Sequence, residues 1–545
     1  MHLLKTTMGN LLNEVASQYA EREALIDLSK GVQWTYREFL DHVNQLAKGL
    51  LKIGLKRGDP LALWSPNRWE WIVAEFAVAK IGAVLVSVDT NAQIQQLEYL
   101  LKQSDSKALI LTPGLKGSEY LEMIQSLCPE LGNCLPGHLN AGLLPELKHL
   151  ILISDRPFSG MFQWADLLEM GKEVSDNQLT QQEQSIQHDD VVTLLYTSGT
   201  TGAPKGVMST HLGLINTSVA SAEIQRLTEK DRLCLSVPLS HMFGCICITL
   251  AGICKGSTLV IPSETFDPRK VLEAIEREKC TAIYGSPTAM IALMEDPQYQ
   301  PSNLKSLRTG IIGGAPCPME VMKKIVEEMG AREVVIGYGL TESSSWITET
   351  RPDDPLELRV STVGRSLPNV EVKMIDPATG VEAPTGSAGE VCVRGLNMKG
   401  YYKMPAATEK AIDREGWLHT GDLGTMDEKG YLRIVGRLKE VIQKGDETIY
   451  PTEIEEVLFT FPGILNAQVF GVPDSTLGEE IAAWIKLEEG STVREEEILQ
   501  FCREKLSPSQ VPRYLKFVKE FPMTPLGKIQ KFKMREMAVK ELGLE

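Results

Sequence analysis

The chain has 545 residues, 43% hydrophobic and 23% charged, and Lys+Arg 56 against Asp+Glu 72 leave a net charge of −16. That length exceeds what one core holds, so roughly two to four domains are expected, and the acidic balance argues against a general nucleic-acid or anionic-membrane binder. The longest apolar stretch, Cys245 to Cys254, is too short and glycine-interrupted to cross a bilayer, and ten cysteines with no CxxC pair and no leader pattern suit a reducing cytoplasm without disulfides.

In chain order, Gly9 to Arg22 has helical spacing and Ala24–Asp27 reads as a strand. Thr35 with Glu38 forms a capping box for a helix running to about Ile53. Leu61–Trp64 is strand-like, Trp69 to Lys80 helical, and Ala83–Val88 and Ala108–Leu111 are buried strands with a helix between them. Strand and helix alternating at this spacing predict parallel α/β layers, and the rhythm returns from Leu259 to Gly285. Residues 175–188 are polar and aperiodic, and a loop is expected there. After about Gly364 the texture turns to strands and turns, with Val370–Ile375 and Glu390–Arg394. Beyond Arg437 a small α+β unit is expected: a helix capped by Thr452 with Glu455, strands at Asn466–Phe470, Ala482–Ile485 and Tyr514–Phe517, and a helix over Glu495–Lys505. The fold expected is α/β, with a large N-terminal domain (1–437) of layered α/β subdomains plus a β-rich subdomain. A small, mobile C-terminal α+β domain (438–545) completes it.

The stretch Tyr196 to Gly206, rich in Gly, Ser and Thr, follows an apolar strand and carries Lys205. Such a backbone folds tightly and aims several N–H and O–H donors at one anion, so a phosphate-gripping loop is expected, against a flexible linker. It is not a P-loop of the GTPase kind, because Pro204 precedes the lysine and Gly206 follows it. Read singly, other polar residues say less. His241 reads more readily as a satisfied structural histidine than as a catalyst. Glu342 stands where a dinucleotide fingerprint would need its third glycine, and a carboxylate after a glycine turn suits Mg²⁺ bridging phosphates. Asp422 fits a turn or a ribose hydroxyl, and Arg437 and Lys528 could each be surface charges.

Together and in order, Tyr196–Gly206, Gly313–Pro316, Tyr338–Glu342, Gly416–Asp422, Gly436-Arg437 and Pro525–Ile529 resemble the AMP-forming adenylating enzymes. That superfamily holds acyl-CoA synthetases, peptide-synthetase adenylation domains and beetle luciferases, and the resemblance runs from about residue 10 to residue 540. It implies that Thr197, Ser198, Gly199, Thr200, Thr201, Gly202 and Lys205 cradle the β- and γ-phosphates of ATP. Gly313, Gly314, Ala315 and Pro316 would sandwich the adenine with Tyr338 and Gly339, and Asp422 and Arg437 would hold the ribose. Thr341 would touch the α-phosphate and Glu342 would hold Mg²⁺, with His241 beside the reacting groups. Lys528 would supply positive charge where the carboxylate meets the α-phosphate. The hinge falls at Lys439, and Lys444, Gly445 and Asp446 would line the tunnel for CoA.

Met242 stands where enzymes of α-amino acids generally carry an aspartate, so an acid without an α-amino group is expected. Met242, Phe243, Cys245 and Ser343–Ile347 make an apolar to mildly polar acyl wall, which suits a medium- or long-chain fatty acid. The alternatives are an alicyclic or aromatic acid, a ligase loading an acyl carrier protein, a luciferase-like oxygenase and a non-enzymatic binding module. The partners implied are the carboxylic acid and CoA, with no nucleic acid and a homodimer left open. One departure stands out: the family's Lys-Gly-Gly-Glu-Asn run is Lys444-Gly-Asp-Glu-Thr448 here. A carboxylate at Asp446 is expected to weaken thioester formation while sparing adenylation, against a tolerated loop substitution.

Overall fold

A computed structural model describes residues 2–115, 119–197, 203–445, 447–488, 490–523 and 529–544. The chain divides into two compact units, Met1–Glu371 with Val393–Leu418, and Val372–Cys392 with His419–Glu545. Among the described residues no helix is long and apolar enough to cross a membrane.

The first unit is built on two large sheets. One runs Phe162–Gln163, His149–Leu152, Ala108–Leu111, Pro60–Trp64, Val84–Ser87, Val191–Thr197, Lys205–Thr210. Its pairs are parallel except the last, where Lys205–Thr210 turns back along Val191–Thr197. Pro60–Trp64 and Ala108–Leu111 are buried at every position, as strands covered on both faces must be, and this is why they read as unbroken apolar runs. The other sheet runs Arg365–Ser366, Ser345–Glu349, Val335–Leu340, Thr309–Gly313, Ala282–Gly285, Arg232–Cys234, Thr258–Ile261, Glu23–Asp27, Val32–Thr35.

Two helices lie between these sheets. Trp69–Ile81 is buried from Glu70 to Ile81 and packs on Glu23–Asp27 of one sheet and Val84–Ser87 of the other. His211–Ile224 packs on Lys205–Thr210 and on Ser345–Glu349. It begins directly after the strand that carries Lys205, which ties the phosphate-loop region to both layers.

The Thr35–Glu38 capping box is present in both directions, heading the helix Tyr36–Lys52. Two local expectations are corrected. Residues 176–184 form a helix, not a loop, with Ser175 accepting from the Gln178 N–H and Gln178 reaching back. Only Leu179 and Glu183 of that helix are buried, so it lacks an apolar stripe and its cap is the stronger signal. In the second unit the helix Pro451–Phe459 starts with proline at its first turn. Thr452 is inside it, with its hydroxyl given to the Val435 carbonyl, and Glu455 accepts from the Val469 N–H at 2.7 Å instead of closing a box.

The second unit holds most of a four-stranded sheet ordered Glu371–Ile375, Gly389–Arg394, Leu418–Met426, Leu432–Arg437. A further sheet runs Glu447–Ile449, Ile442–Lys444, Gly478–Leu487, Ile464–Asp474, with Tyr514–Phe517 parallel to Gly478–Leu487. One core, with Ile454, Leu458, Val469, Ile485, Ile498 and Cys502, seats the helices Pro451–Phe459 and Glu495–Lys505. A smaller one, around Phe470, Trp484, Met534 and Ala538, seats the last helix, Lys531–Leu542.

Candidate active site

In the first unit, Thr197 and Lys205 form the final cross-strand pair of the hairpin whose tip carries the phosphate-loop residues. Ser198, Gly199, Thr200, Thr201 and Gly202 lie outside the described residues. Both roots of the loop are held by named side chains. The Tyr99 hydroxyl donates to the Pro204 carbonyl at 3.0 Å. Tyr196 lies with its ring against Gly206, where a Cβ would come within 3.1 Å of it, and its hydroxyl bonds Gln103 Oε1.

A segment the sequence reading did not single out, 398–402, runs alongside Lys205–Thr210. The Met208 N–H donates to Gly400 at 3.0 Å, the Tyr402 N–H to Gly206 at 2.8 Å, and the Met398 N–H to the Glu342 carbonyl at 2.8 Å. This brings Tyr401 between two predicted site residues. The Lys205 ammonium stands 4.3 Å over the Tyr401 ring, and the Tyr401 hydroxyl donates to Glu342 Oε1 at 2.9 Å. Burial, and then the Glu342 carboxylate, push the Tyr401 phenol up, so it keeps the proton that it donates. Glu342 is half-buried. A hard carboxylate oxygen, with a lysine ammonium over the ring that holds it, is a donor set that fits a magnesium ion among phosphates.

Thr309–Gly313 and Val335–Leu340 are parallel, with Gly313 beside Gly337. Their carboxyl ends therefore point the same way, and Gly314, Ala315 and Pro316 emerge next to Tyr338–Thr341, the usual crevice for a ligand in parallel sheets. Gly314 has φ +84 and open space around it, so its backbone conformation demands glycine and steric room does not. Gly339 is the reverse case: a Cβ there would lie 1.9 Å from the Ser345 carbonyl oxygen. The tight turn Thr341–Ser343 follows, closed by the Leu340 N–H donating to Ser343 Oγ at 3.0 Å. Ser344 and Ser345 then take positive φ values of 57 and 113, a strained path for non-glycine residues.

His241 is exposed, and its Nδ1 accepts the Phe243 N–H at 3.1 Å, which in the neutral ring leaves the proton on Nε2. Asn67 holds the approach to it, donating to the Val237 carbonyl at 2.9 Å and accepting the Leu239 N–H at 2.8 Å. Residues Phe243–Leu250 wind as a π-helix, a rare form that is frequent at functional sites. Phe243 meets Trp346 edge-on at 5.3 Å, joining the two predicted parts of the acyl wall. Met242 and Cys245 are buried, and burial pushes the Cys245 thiol well up, so it packs as an inert apolar group.

In the second unit Asp422 and Arg437 are cross-strand partners, and Arg437 Nε meets Asp422 Oδ1 at 2.9 Å with Asp422 buried. The turn before Asp422 hangs on Glu390, which bonds His419 Nδ1 at 2.8 Å and accepts the Gly421 N–H at 3.1 Å. Lys439 is exposed just past the strand that ends at Arg437. Lys444 Nζ pairs with Glu480 at 2.5 Å and reaches the Ser509 carbonyl at 3.1 Å. Gly445 follows with φ +62. Asp446 and Lys528 lie outside the described residues.

Residues 12–402 match the family model described as AMP-binding enzyme, and residues 453–528 match the AMP-binding enzyme C-terminal domain. The chain is 46% identical over 543 residues to the putative acyl-CoA synthetase YngI of Bacillus subtilis (strain 168), covering 99% of each. It is 40% identical over 545 residues to the medium-chain acyl-CoA ligase ACSF2, mitochondrial, of Danio rerio, covering 99% of this chain and 90% of that one. Among solved structures, ATP-bound MatB from Rhodopseudomonas palustris matches with a TM-score of 0.84 at 26% identity, over 97% of this chain and 99% of that chain. With most of its length inside the family model and full-length relatives of one name class, the chain belongs to the AMP-binding enzyme family, as an acid–thiol ligase of its acyl-CoA synthetase group.

Proposed function

We propose that this ligase takes a medium- or long-chain fatty acid, forms its acyl-adenylate from ATP with release of pyrophosphate, and passes the acyl group to CoA. The observation that carries the reading is the run Lys205–Tyr401–Glu342, which ties the root of the phosphate loop to the carboxylate of the Thr341 turn. Lys205, with the backbone and hydroxyl donors of Thr197, Ser198, Gly199, Thr200, Thr201 and Gly202, grips the β- and γ-phosphates. Gly313 to Pro316 flank the adenine opposite Tyr338 and Gly339. Thr341 meets the α-phosphate, and Asp422 with Arg437 takes the ribose hydroxyls. A magnesium ion held by Glu342 would spread the phosphate charge. Lys528 neutralises charge where the acid oxygen attacks phosphorus, a step that needs positioning and electrostatics more than covalent help. Residues 438–545 act as the mobile domain, with Lys439 as hinge, and the turn at Lys444, Gly445 and Asp446 faces the thiol in the second half-reaction.

The apolar wall of Met242, Phe243 and Trp346 supports an aliphatic acid, in keeping with a relative named as a medium-chain ligase. Ten cysteines, all free thiols, support a reducing compartment, and we place the protein in the cytoplasm. The test is pyrophosphate release over straight-chain acids of graded length, with and without CoA. A maximum at medium or long chains, with acyl-CoA formed only when CoA is present, is expected. Turnover confined to short dicarboxylic or aromatic acids would overturn the substrate assignment.

A further inference from the structure

The second unit brings together a carboxylate, a thiol and an imidazole that acid activation does not itself use. Glu390 and Cys392 stand at alternate positions of the strand Gly389–Arg394, so both side chains face the same side of it. His419 comes to them from the neighbouring strand, Leu418–Met426. Cys392 Sγ lies 3.5 Å from His419 Nδ1, and Glu390 Oε2 lies 2.8 Å from the same nitrogen. The three donor atoms all fall within 4.8 Å of one another, the one such group among the described residues.

The spacing is close to that which a zinc ion imposes. Tetrahedral zinc sits about 2.3 Å from a thiolate sulfur and about 2.0–2.1 Å from an imidazole nitrogen or a carboxylate oxygen. Those lengths set sulfur and nitrogen about 3.5 Å apart, which is the separation of Cys392 and His419. They set nitrogen and oxygen about 3.3 Å apart, so the pair His419–Glu390 has to open by only about half an ångström when a metal replaces the hydrogen between them. The donor set also selects the ion. Magnesium and calcium take oxygen ligands, whereas a thiolate with an imidazole suits zinc.

The surroundings hold these ligands in place. The second oxygen of Glu390 accepts the Gly421 N–H at 3.1 Å, and the Thr420 hydroxyl donates to the Val391 carbonyl at 2.7 Å. Outer bonds of this kind orient ligating groups and tune their affinity. Cys392 is buried, while the His419 and Glu390 side chains keep 32% and 13% of their surface. An ion therefore has a way in on the His419 side, with room for water there.

We propose that Glu390, Cys392 and His419 form a zinc site, with three ligands from the protein and a fourth position open to water. Binding releases the Cys392 thiol proton to solvent and moves the imidazole hydrogen from Nδ1 to Nε2. The ion clamps the two strands under the turn Thr420–Asp422 and holds Glu390 where it grips the Gly421 N–H. The site stands apart from the magnesium role given to Glu342 and does not depend on which acid is activated.

The experiment titrates the full chain, stripped of metal with a chelator and dialysed, with Co²⁺ and then with Zn²⁺. One Co²⁺ per chain is expected, with a thiolate-to-cobalt charge-transfer band in the near ultraviolet that one equivalent of Zn²⁺ abolishes. Cys392→Ala leaves the His419–Glu390 and Glu390–Gly421 bonds in place. It should lose the band and bind Zn²⁺ more weakly by at least about 10- to 100-fold, the range that outer partners of a ligand already command. Cys392→Ser, closer in shape, should lose the band as well and decides the matter where the alanine variant does not fold. Glu390→Gln should keep the band and weaken binding. No band in the parent, or a band of equal strength in the Cys392 variants, arising from another of the ten cysteines, overturns the proposal.

Discussion

The Tyr401 hydroxyl donates to Glu342 Oε1 at 2.9 Å, so a carboxylate on one strand turn is held by a phenol from a segment almost sixty residues further on, |i−j| = 59. The same ring carries the Lys205 ammonium at 4.3 Å. Groups that orient a metal ligand from behind are typically worth about 10- to 100-fold in metal affinity. Tyr401→Phe keeps the ring under Lys205 and removes only the bond to Glu342. Half-saturation by magnesium should rise about tenfold, with little change in the KM for the acid. An unchanged magnesium requirement would remove Glu342 from the role given to it.

Gly339 sets how closely Val335–Leu340 and Ser345–Glu349 approach just before Thr341. An alanine there would place its methyl 1.9 Å from the Ser345 oxygen and 2.7 Å from Trp346 Cα, both backbone atoms that cannot swing aside. Overpacking of this kind costs about 1–3 kcal/mol, and a displacement of about 1 Å at a reacting group costs about 100-fold in rate. Gly339→Ala should lower the thermal midpoint and depress acyl-adenylate formation together. Parental values for both would contradict the strand spacing.

How much of this was legible in the sequence depended on whether the signal was local. The capping box at Thr35 and Glu38 was, because both partners lie within one turn. So were the helix Glu495–Lys505 and the strand Tyr514–Phe517, whose bounds agree with those read from the residues. The helix Asp176–Gln184 was missed because it buries only two residues and so has no apolar period to detect. Thr452 looked like a cap because its spacing to Glu455 is right, yet Pro451 already opens the helix and both side chains serve other strands. Within the candidate site, Thr341 and Glu342 stood in a recognisable run. Tyr401 did not, since its meaning comes from pairing with a strand nearly two hundred residues earlier in the chain, at Val207. Glu349 was equally hidden: nothing in the run Trp346-Ile347-Thr348-Glu349 tells that its two polar residues are as fully buried as the rest of the strand.

Glu349 also carries a pH signature. Its ordinary value of 4.5 rises to about 7 through burial, so between those values the folded chain binds more protons than the unfolded one. Stability contributed at this position is therefore present at low pH, falls as pH rises through the window, and stays reduced above it. A rise of that size corresponds to about 3 kcal/mol as an upper scale. His211 has the opposite slope, since burial takes it from 6.5 down to about 4 and favours folding as pH rises through that range. The two slopes largely offset each other in the parent enzyme. Glu349→Gln should lift one of them, so that the thermal midpoint of the variant gains on the parent between about pH 4.5 and 7. A difference that stays flat across that window would show that Glu349 is not a buried proton-holding acid.

The two half-reactions should separate at Lys528 and Asp446. Loss of a preorganised positive group at a developing charge typically costs about 100- to 1,000-fold, so Lys528→Ala should cut acyl-adenylate formation by about that factor. Transfer from preformed acyl-adenylate to CoA should be affected far less, because the role proposed for the lysine lies in the first step. Asp446 works in the other direction. CoA is polyanionic, and under the proposed role of the turn a carboxylate beside its path would repel it, while Lys444, two residues before it in sequence, already pairs with Glu480 at 2.5 Å. Asp446→Gly should therefore leave pyrophosphate release unchanged and raise the rate of thioester formation several-fold, more so at low salt where charges are poorly screened. Equal transfer rates for the two chains, at low and high salt alike, would reduce Asp446 to a tolerated loop residue.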